Sequence, residues 1–254
     1  MATLNRDGVN IYYEDHGSGP AILLSHGYSS TSQMWTGQVA AFEDTYRVVT
    51  WDMRGHGQTD SPEDQAAYSE EATIDDMAAI LRHLGIERAI IGGLSLGGYM
   101  SAAFQTKYPQ MTRALMLFDC GPGYRNPQAR EGWNKTAVTR AEVFEEKGLD
   151  ALGSGAEVRI TTHRSAIGLA KAARGMLAQF DARVMESLDK IPMPTLVLVG
   201  ANDTPFLNAS DYMAKKIPNS TFVTIPEAGH AANLDQPAPF NAAVSAFLAT
   251  LPAE

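Results

Sequence analysis

The sequence predicts an α/β fold, a mostly parallel sheet with helices on both faces, and three observations predict it. Short apolar runs alternate with stretches of helical spacing. The runs in the body of the chain are apolar almost throughout, as strands covered on both faces must be. Strand patterns then vanish from about 121 to 190, where only helical patterns remain. At 254 residues, 44% of them hydrophobic, the chain can bury one large core with an insertion. The expected organisation is a core over 1–120, a helical cap over 121–190 and the rest of the core over 191–254.

In order, the strand candidates are NIYYEDH, AILLSH, YRVVTWD, ERAIIGG, RALMLFD, PTLVLVG and STFVTIP. The first alternates polar with apolar and reads as a strand near an edge. Helical spacing covers IDDMAAILRHLG, SLGGYMSAAFQTKYP, LNASDYMAKKIP and PAPFNAAVSAFLATL, with Gly85, Pro109 and Pro218 as stops. Within the strandless region, Asn126 and Pro127 are an N-cap and first helical residue, and Gly148 ends that helix. A second helix is expected over 165–188, because Ile167, Ala170, Ala173, Leu177, Phe180, Val184 and Leu188 recur at three and four. The position of this excursion suggests a lid over a pocket.

Charge narrows the partners. Lys and Arg total 20 against 29 Asp and Glu, a formal charge of -9, so the sequence carries no basic footprint for nucleic acid or anionic membrane. No apolar run reaches bilayer length, and MATLNRDGVN lacks a basic-then-apolar leader. The lone cysteine, Cys120, forms no internal disulfide, which suits a reducing compartment. The expectation is a cytoplasmic protein acting on a small molecule. There is no H-E-x-x-H and no ligand cluster at metal spacing, so neither metal nor cofactor is expected.

The chemistry starts at IIGGLSLGGYM, residues 90–100, where four glycines surround Ser95. G-x-S-x-G is a weak match alone. Here it follows a strand and opens a helix, which puts the hydroxyl on a sharp turn at the sheet edge. Gly93 and Gly97 remove side chains that would collide across the bend, and the helix N-terminus offers free N–H groups. A dinucleotide fingerprint needs glycine where Ser95 stands and ranks behind; no Gly-Lys-Ser/Thr follows, which excludes a P-loop.

A serine nucleophile needs a histidine base and an acid to orient it. His16 and His83 read as surface positions, His26 and His56 as shapers of glycine turns, and His163 as part of the helical region. His230, in IPEAGHAANLDQP after the last strand, falls at the same sheet edge as Ser95. Asp203 in LVLVGANDTPF completes the chain order Ser, Asp, His. Asp119, ending RALMLFD, is the rival acid. The N–H groups of Leu96 and Tyr28, the latter in His26-Gly27-Tyr28-Ser29-Ser30, are the expected oxyanion donors. Trp133, Met176, Leu177, Phe180, Phe206 and Leu207 are candidates for an apolar pocket wall.

With these residues placed, the chain resembles the α/β-hydrolase superfamily over essentially its full length. SHGYSS, WDMRGHGQTDSP, GGLSLGG, LVLVGANDTP and PEAGHAANLDQP carry the resemblance, in family order. It implies an eight-stranded core with the cap inserted after the sixth strand, and hydrolysis of a small ester or lactone through an acyl-enzyme. It also implies that Asp52, Arg54 and Gly55 form a structural loop beneath the site. Dehalogenase and epoxide-hydrolase relatives carry aspartate where Ser95 stands, which disfavours those activities. Carbon-carbon bond hydrolases and cofactor-free perhydrolases share the same three residues, and some proteins of this fold serve as small-molecule receptors.

Overall fold

The computed structural model of the chain describes residues 2–252. Among them eight strands form one sheet: β1 (Ala2–Arg6), β2 (Val9–His16), β3 (Ala21–Ser25), β4 (Arg47–Trp51), β5 (Ala89–Leu94), β6 (Thr112–Phe118), β7 (Thr195–Gly200) and β8 (Ser220–Ile225). Their spatial order is 1-2-4-3-5-6-7-8. β1, β2 and β4 pair antiparallel, and every pairing from β4 to β8 is parallel. This is the α/β sheet that the apolar runs predict, with β1 as an addition. ATLNR is polar and largely exposed, so no apolar pattern marks it. Its signal is Asp7-Gly8, a two-residue turn with both residues at positive φ (54° and 83°), the backbone a type I′ hairpin requires.

The alternation of side chains along each strand divides the core in two. Leu23, Val49, Ile91, Leu115 and Val197 pack against α2 (Glu70–His83) and α3 (Leu96–Lys107) on one face. Ile22, Leu24, Val48, Ile90 and Met116 pack against α1 (Thr36–Phe42) and the C-terminal helix α9 (Pro237–Leu248) on the other. Burial on both faces is why these strands have no polar side.

Between β6 and β7 the described backbone is helical or irregular. α4 (Pro127–Lys147) forms as predicted: Asn126 Oδ1 accepts the N–H groups of Gln128 (2.8 Å) and Ala129 (3.1 Å), and Gly148 ends the helix at φ 62°. After the short α5 (Ala156–Arg159), the helix expected over 165–188 is broken. α6 (Ala166–Ala172) runs into a wide π-helical turn at Ala173–Leu177, the chain then extends, and α7 (Arg183–Ser187) resumes. Side chains of α4 cause the break. Trp133 Nε1 donates to the Leu177 carbonyl (2.7 Å), and Asn134 both donates to the Gln179 carbonyl (2.7 Å) and accepts its N–H (2.8 Å). These bonds replace the helix's own, so the segment leaves the helix with its polar groups satisfied. Past the break Phe180, expected on the apolar stripe, is 69% exposed, and Ile167 on α6 is 49% exposed.

The loop after β4 is held by buried charge. Asp52 accepts the N–H groups of Ser32 (2.7 Å) and Gln58 (2.8 Å). Arg54 grips the fully buried Asp76 of α2 through Nε (2.7 Å) and Nη2 (2.9 Å), and Arg6 of β1 adds a third bond at 2.6 Å. Removing the shared carboxylate would strand a buried guanidinium. Asp76→Ala should therefore cost about 3–5 kcal/mol, lowering Tm by on the order of 10 °C in a calorimetric scan; a loss under about 2 °C would show that Arg54 finds water instead.

Candidate functional site

Ser95 sits between β5 and α3 at φ 56°, ψ -114°, a backbone conformation that L-residues rarely adopt. The turn is crowded. A Cβ on Gly97 would collide with the carbonyl oxygen of Ser25 and lie 2.6 Å from that of His26, and one on Gly93 would lie 2.5 Å from the Gly97 carbonyl carbon. Ser95 N–H donates to the Phe118 carbonyl (2.9 Å), which fixes the turn to the end of β6. Ser29 (φ 56°) and Asp119 (φ 45°) are also strained, at the ends of β3 and β6, so three of the described left-handed non-glycine residues gather at one sheet edge.

The loops after β7 and β8 are joined by their backbones. Ala201 N–H donates to the Ile225 carbonyl (2.9 Å), and Asn202 N–H to that of Ala228 (2.8 Å). Gly200 lies directly against the Gly229 carbonyl, where a side chain would not fit. This joint brings together two residues 27 positions apart: His230 Nδ1 donates to Asp203 Oδ2 at 2.8 Å, with the Asp203 side chain only 4% exposed. Phe206, in the first turn of α8 (Thr204–Lys216), stacks on the imidazole with ring centroids 4.9 Å apart. With Nδ1 committed to the carboxylate, Nε2 carries the free lone pair.

Tyr28 and Leu96 flank Ser95. Ser30 N–H closes a turn on the Gly27 carbonyl (3.1 Å), and Tyr28 lies inside it with its hydroxyl donating to the Leu169 carbonyl of α6 (2.9 Å). Leu96 is the first residue of α3, where the N–H has no partner within the helix. Sequence reasoning left His163 as an ordinary member of the helical region. In the structure its Nδ1 accepts the Gly57 N–H (3.1 Å) and its Nε2 donates to the Ser29 carbonyl (3.1 Å). It ties the helical segment to the turns after β3 and β4. His26 serves a similar bracing role, donating to the Gly27 carbonyl (2.7 Å) and accepting the Met53 N–H (2.9 Å).

Two compartments meet at Ser95. The larger, about 680 Å³, is bounded by Tyr28, Asp203 and His230 below and by Arg140, Phe144 and Glu157 of the helical segment above. The smaller, about 90 Å³, runs between Leu96 and Tyr99 of α3, Gly123, Leu177 and Gln179. Of the six expected wall residues, Trp133, Leu177 and Phe206 line both. Met176 is buried in the core, Phe180 faces solvent, and Leu207 borders neither compartment. Among the described residues no group of three or more His, Cys, Asp or Glu side chains is placed to hold a metal ion, and no helix is long and apolar enough to cross a membrane.

A serine on a strained strand-to-helix turn, beneath helices inserted between β6 and β7, is also what known proteins lead one to compare. The family model described as "Alpha/beta hydrolase family" matches residues 22–243. The chain belongs to the alpha/beta hydrolase family. It is 30% identical to 3-oxoadipate enol-lactonase 1 of Acinetobacter baylyi over 97% of this chain and 96% of the relative. Among solved structures, a thermophilic esterase from Thermogutta terrifontis is 29% identical, covers 99% of this chain and 97% of its own, and superposes with a TM-score of 0.83. A hydrolase from Pseudomonas aeruginosa is 27% identical over 97% of each chain, with a TM-score of 0.79.

In this family member Asp119 does not reach His230; its Oδ1 accepts the Gly200 N–H (2.7 Å), while Oδ2 is buried with no partner among the described residues. Burial pushes the Asp119 carboxyl well above the usual carboxylate range; the Gly200 N–H pulls it down in part, and the charge of Asp203 adds a further upward push. One proton on Oδ2 resolves the orphaned atom, because a protonated carboxyl can donate to Asp203. A carboxyl whose folded pKa is raised stabilises most below its unfolded value, about 3.9, and that contribution declines as pH rises toward the folded value. Asp119→Asn keeps a donor and removes the titration. The Tm of the parent relative to this variant should therefore fall steadily between pH 4 and 8; a constant difference across that range would mean Asp119 holds no proton.

Proposed function

We propose that this protein is a serine hydrolase that cleaves small carboxylic esters or lactones through an acyl-enzyme, with Ser95, His230 and Asp203 as its catalytic triad. The observation that carries the reading is the 2.8 Å bond from His230 Nδ1 to Asp203, in a cavity that also exposes Ser95 on its strained turn. His230 Nε2 takes the Ser95 proton as Oγ attacks the carbonyl carbon, and the tetrahedral oxyanion is held by the N–H groups of Tyr28 and Leu96. The same imidazole returns the proton to the leaving alcohol oxygen as the carbon–oxygen bond breaks. It then deprotonates water, which attacks the acyl-enzyme and releases the acid with Ser95 restored. Asp203 holds the tautomer and stabilises the imidazolium. No step calls for a metal or organic cofactor.

Residues 121–190 act in this reading as a cap that roofs the cavity and sets which small molecule enters. The similarity to an enol-lactonase and an esterase supports an ester bond, cyclic or open, as the target. A single buried cysteine and a net charge of -9 accord with a cytoplasmic enzyme whose partner is a small molecule rather than nucleic acid or membrane.

Release of p-nitrophenol from esters of increasing acyl length tests the reading. Steady turnover should favour short acyl chains, fall to near background in Ser95→Ala, and drop by roughly three to four orders of magnitude in Asp203→Asn. Retention of more than a few per cent of turnover in Ser95→Ala would reject Ser95 as nucleophile, and a burst without turnover would reject the hydrolytic cycle.

A further inference from the structure

We propose that the smaller compartment receives the acyl part of the substrate and that Gln179 selects short acyl chains bearing a hydroxyl group. This rests on the hydrolytic reading above and names the substrate class of the same site. The leaving alcohol must take its proton from His230, so it has to lie on the histidine's side of Ser95. His230 and Tyr28 border the larger compartment, and neither borders the smaller one. The acyl chain is left with the smaller space, whose 90 Å³ holds about three non-hydrogen atoms if each takes the roughly 30 Å³ of a water.

That space is mostly aromatic and aliphatic, and the polar atoms of two of its walls are already spent. The Tyr99 hydroxyl donates to Glu70 (2.8 Å), and the Trp133 indole N–H donates to the Leu177 carbonyl (2.7 Å). Gln179 differs. It is 9% exposed, and among the described residues its Oε1 has no hydrogen-bond partner. Its backbone is clamped in both directions by Asn134, which fixes the point from which the side chain starts. Room for it is made opposite: a Cβ on Gly123, which sits at φ 86°, would lie 2.8 Å from Oε1 and 3.3 Å from the Tyr99 ring. Buried amides in folded proteins are nearly always hydrogen-bonded, so an amide that lines a substrate compartment with its oxygen unpaired is placed to bond a substrate group. A primary amide presents donors and an acceptor together, which a hydroxyl matches with its own donor and acceptor. A site built to bond a hydroxyl discriminates against the analogue that lacks it, because the protein group is then left unpaired.

The test is the ratio of kcat/KM for p-nitrophenyl 3-hydroxypropionate to that for p-nitrophenyl butyrate, two acyl chains of equal length that differ by a hydroxyl in place of a methyl, which cancels any difference in folded fraction. The parent protein should favour the hydroxyacyl ester at least tenfold, and Gln179→Met, close in size and without the amide, should bring the ratio to about one. A parent ratio of one or less overturns the proposal without any variant, as does a ratio unchanged in Gln179→Met. Ser95-dependent hydrolysis of the butyrate with no hydroxyl preference would remove this subsite alone. Hydrolysis of neither ester would overturn the subsite and the hydrolytic reading together.

Discussion

Gly97 has no side chain because the carbonyls of Ser25 and His26 occupy the space where one would stand. That close approach locks the end of β3 against the start of α3, and much of the site is built outward from it. The turn after β3 presents Tyr28 beside Leu96, the strained backbone at Ser95 lifts its hydroxyl over the sheet edge, and the Ser95 N–H ties the arrangement to β6. Strain of about 1–3 kcal/mol at each left-handed residue persists only where surrounding structure over-determines it. Parallel strands buried on both faces provide that stiffness.

The other half of the site rests on a different device. β7 and β8 end in loops that share backbone hydrogen bonds, so the separation of Asp203 and His230 is set by main chain before their side chains meet. Beneath them lies Asp119, whose carboxyl burial pushes well above the usual carboxylate range. A proton on Asp119 would spare this dry interior a second negative charge next to the carboxylate that the imidazole bonds.

Much of this was legible in the sequence where the signal is local. Seven strands announce themselves as apolar runs, and the glycines around Ser95 mark a backbone approach before any coordinate is known. β1 escaped because an exposed edge strand needs no apolar residues, although Asp7-Gly8 marks its hairpin. The expected helix over 165–188 failed because its hydrogen bonds were taken by Trp133 and Asn134, some 45 residues away, which no periodicity records. Gln179 left no trace either: a glutamine in a helical pattern reads as a solvated surface residue until the break turns it inward. Sequence favours Asp203 as the acid but leaves Asp119 as a rival, since both follow apolar strands at the same edge; His230 bonds Asp203, while Asp119 bonds Gly200.

His163 reaches from the helical segment to partners 134 and 106 positions away in the chain, the carbonyl of Ser29 and the N–H of Gly57. Contacts of such sequence separation are costly in loop-closure entropy until other structure has brought the ends together. The helical segment over Ser95 is therefore fastened by contacts whose closure cost is lowest once the sheet has brought the turns after β3 and β4 together.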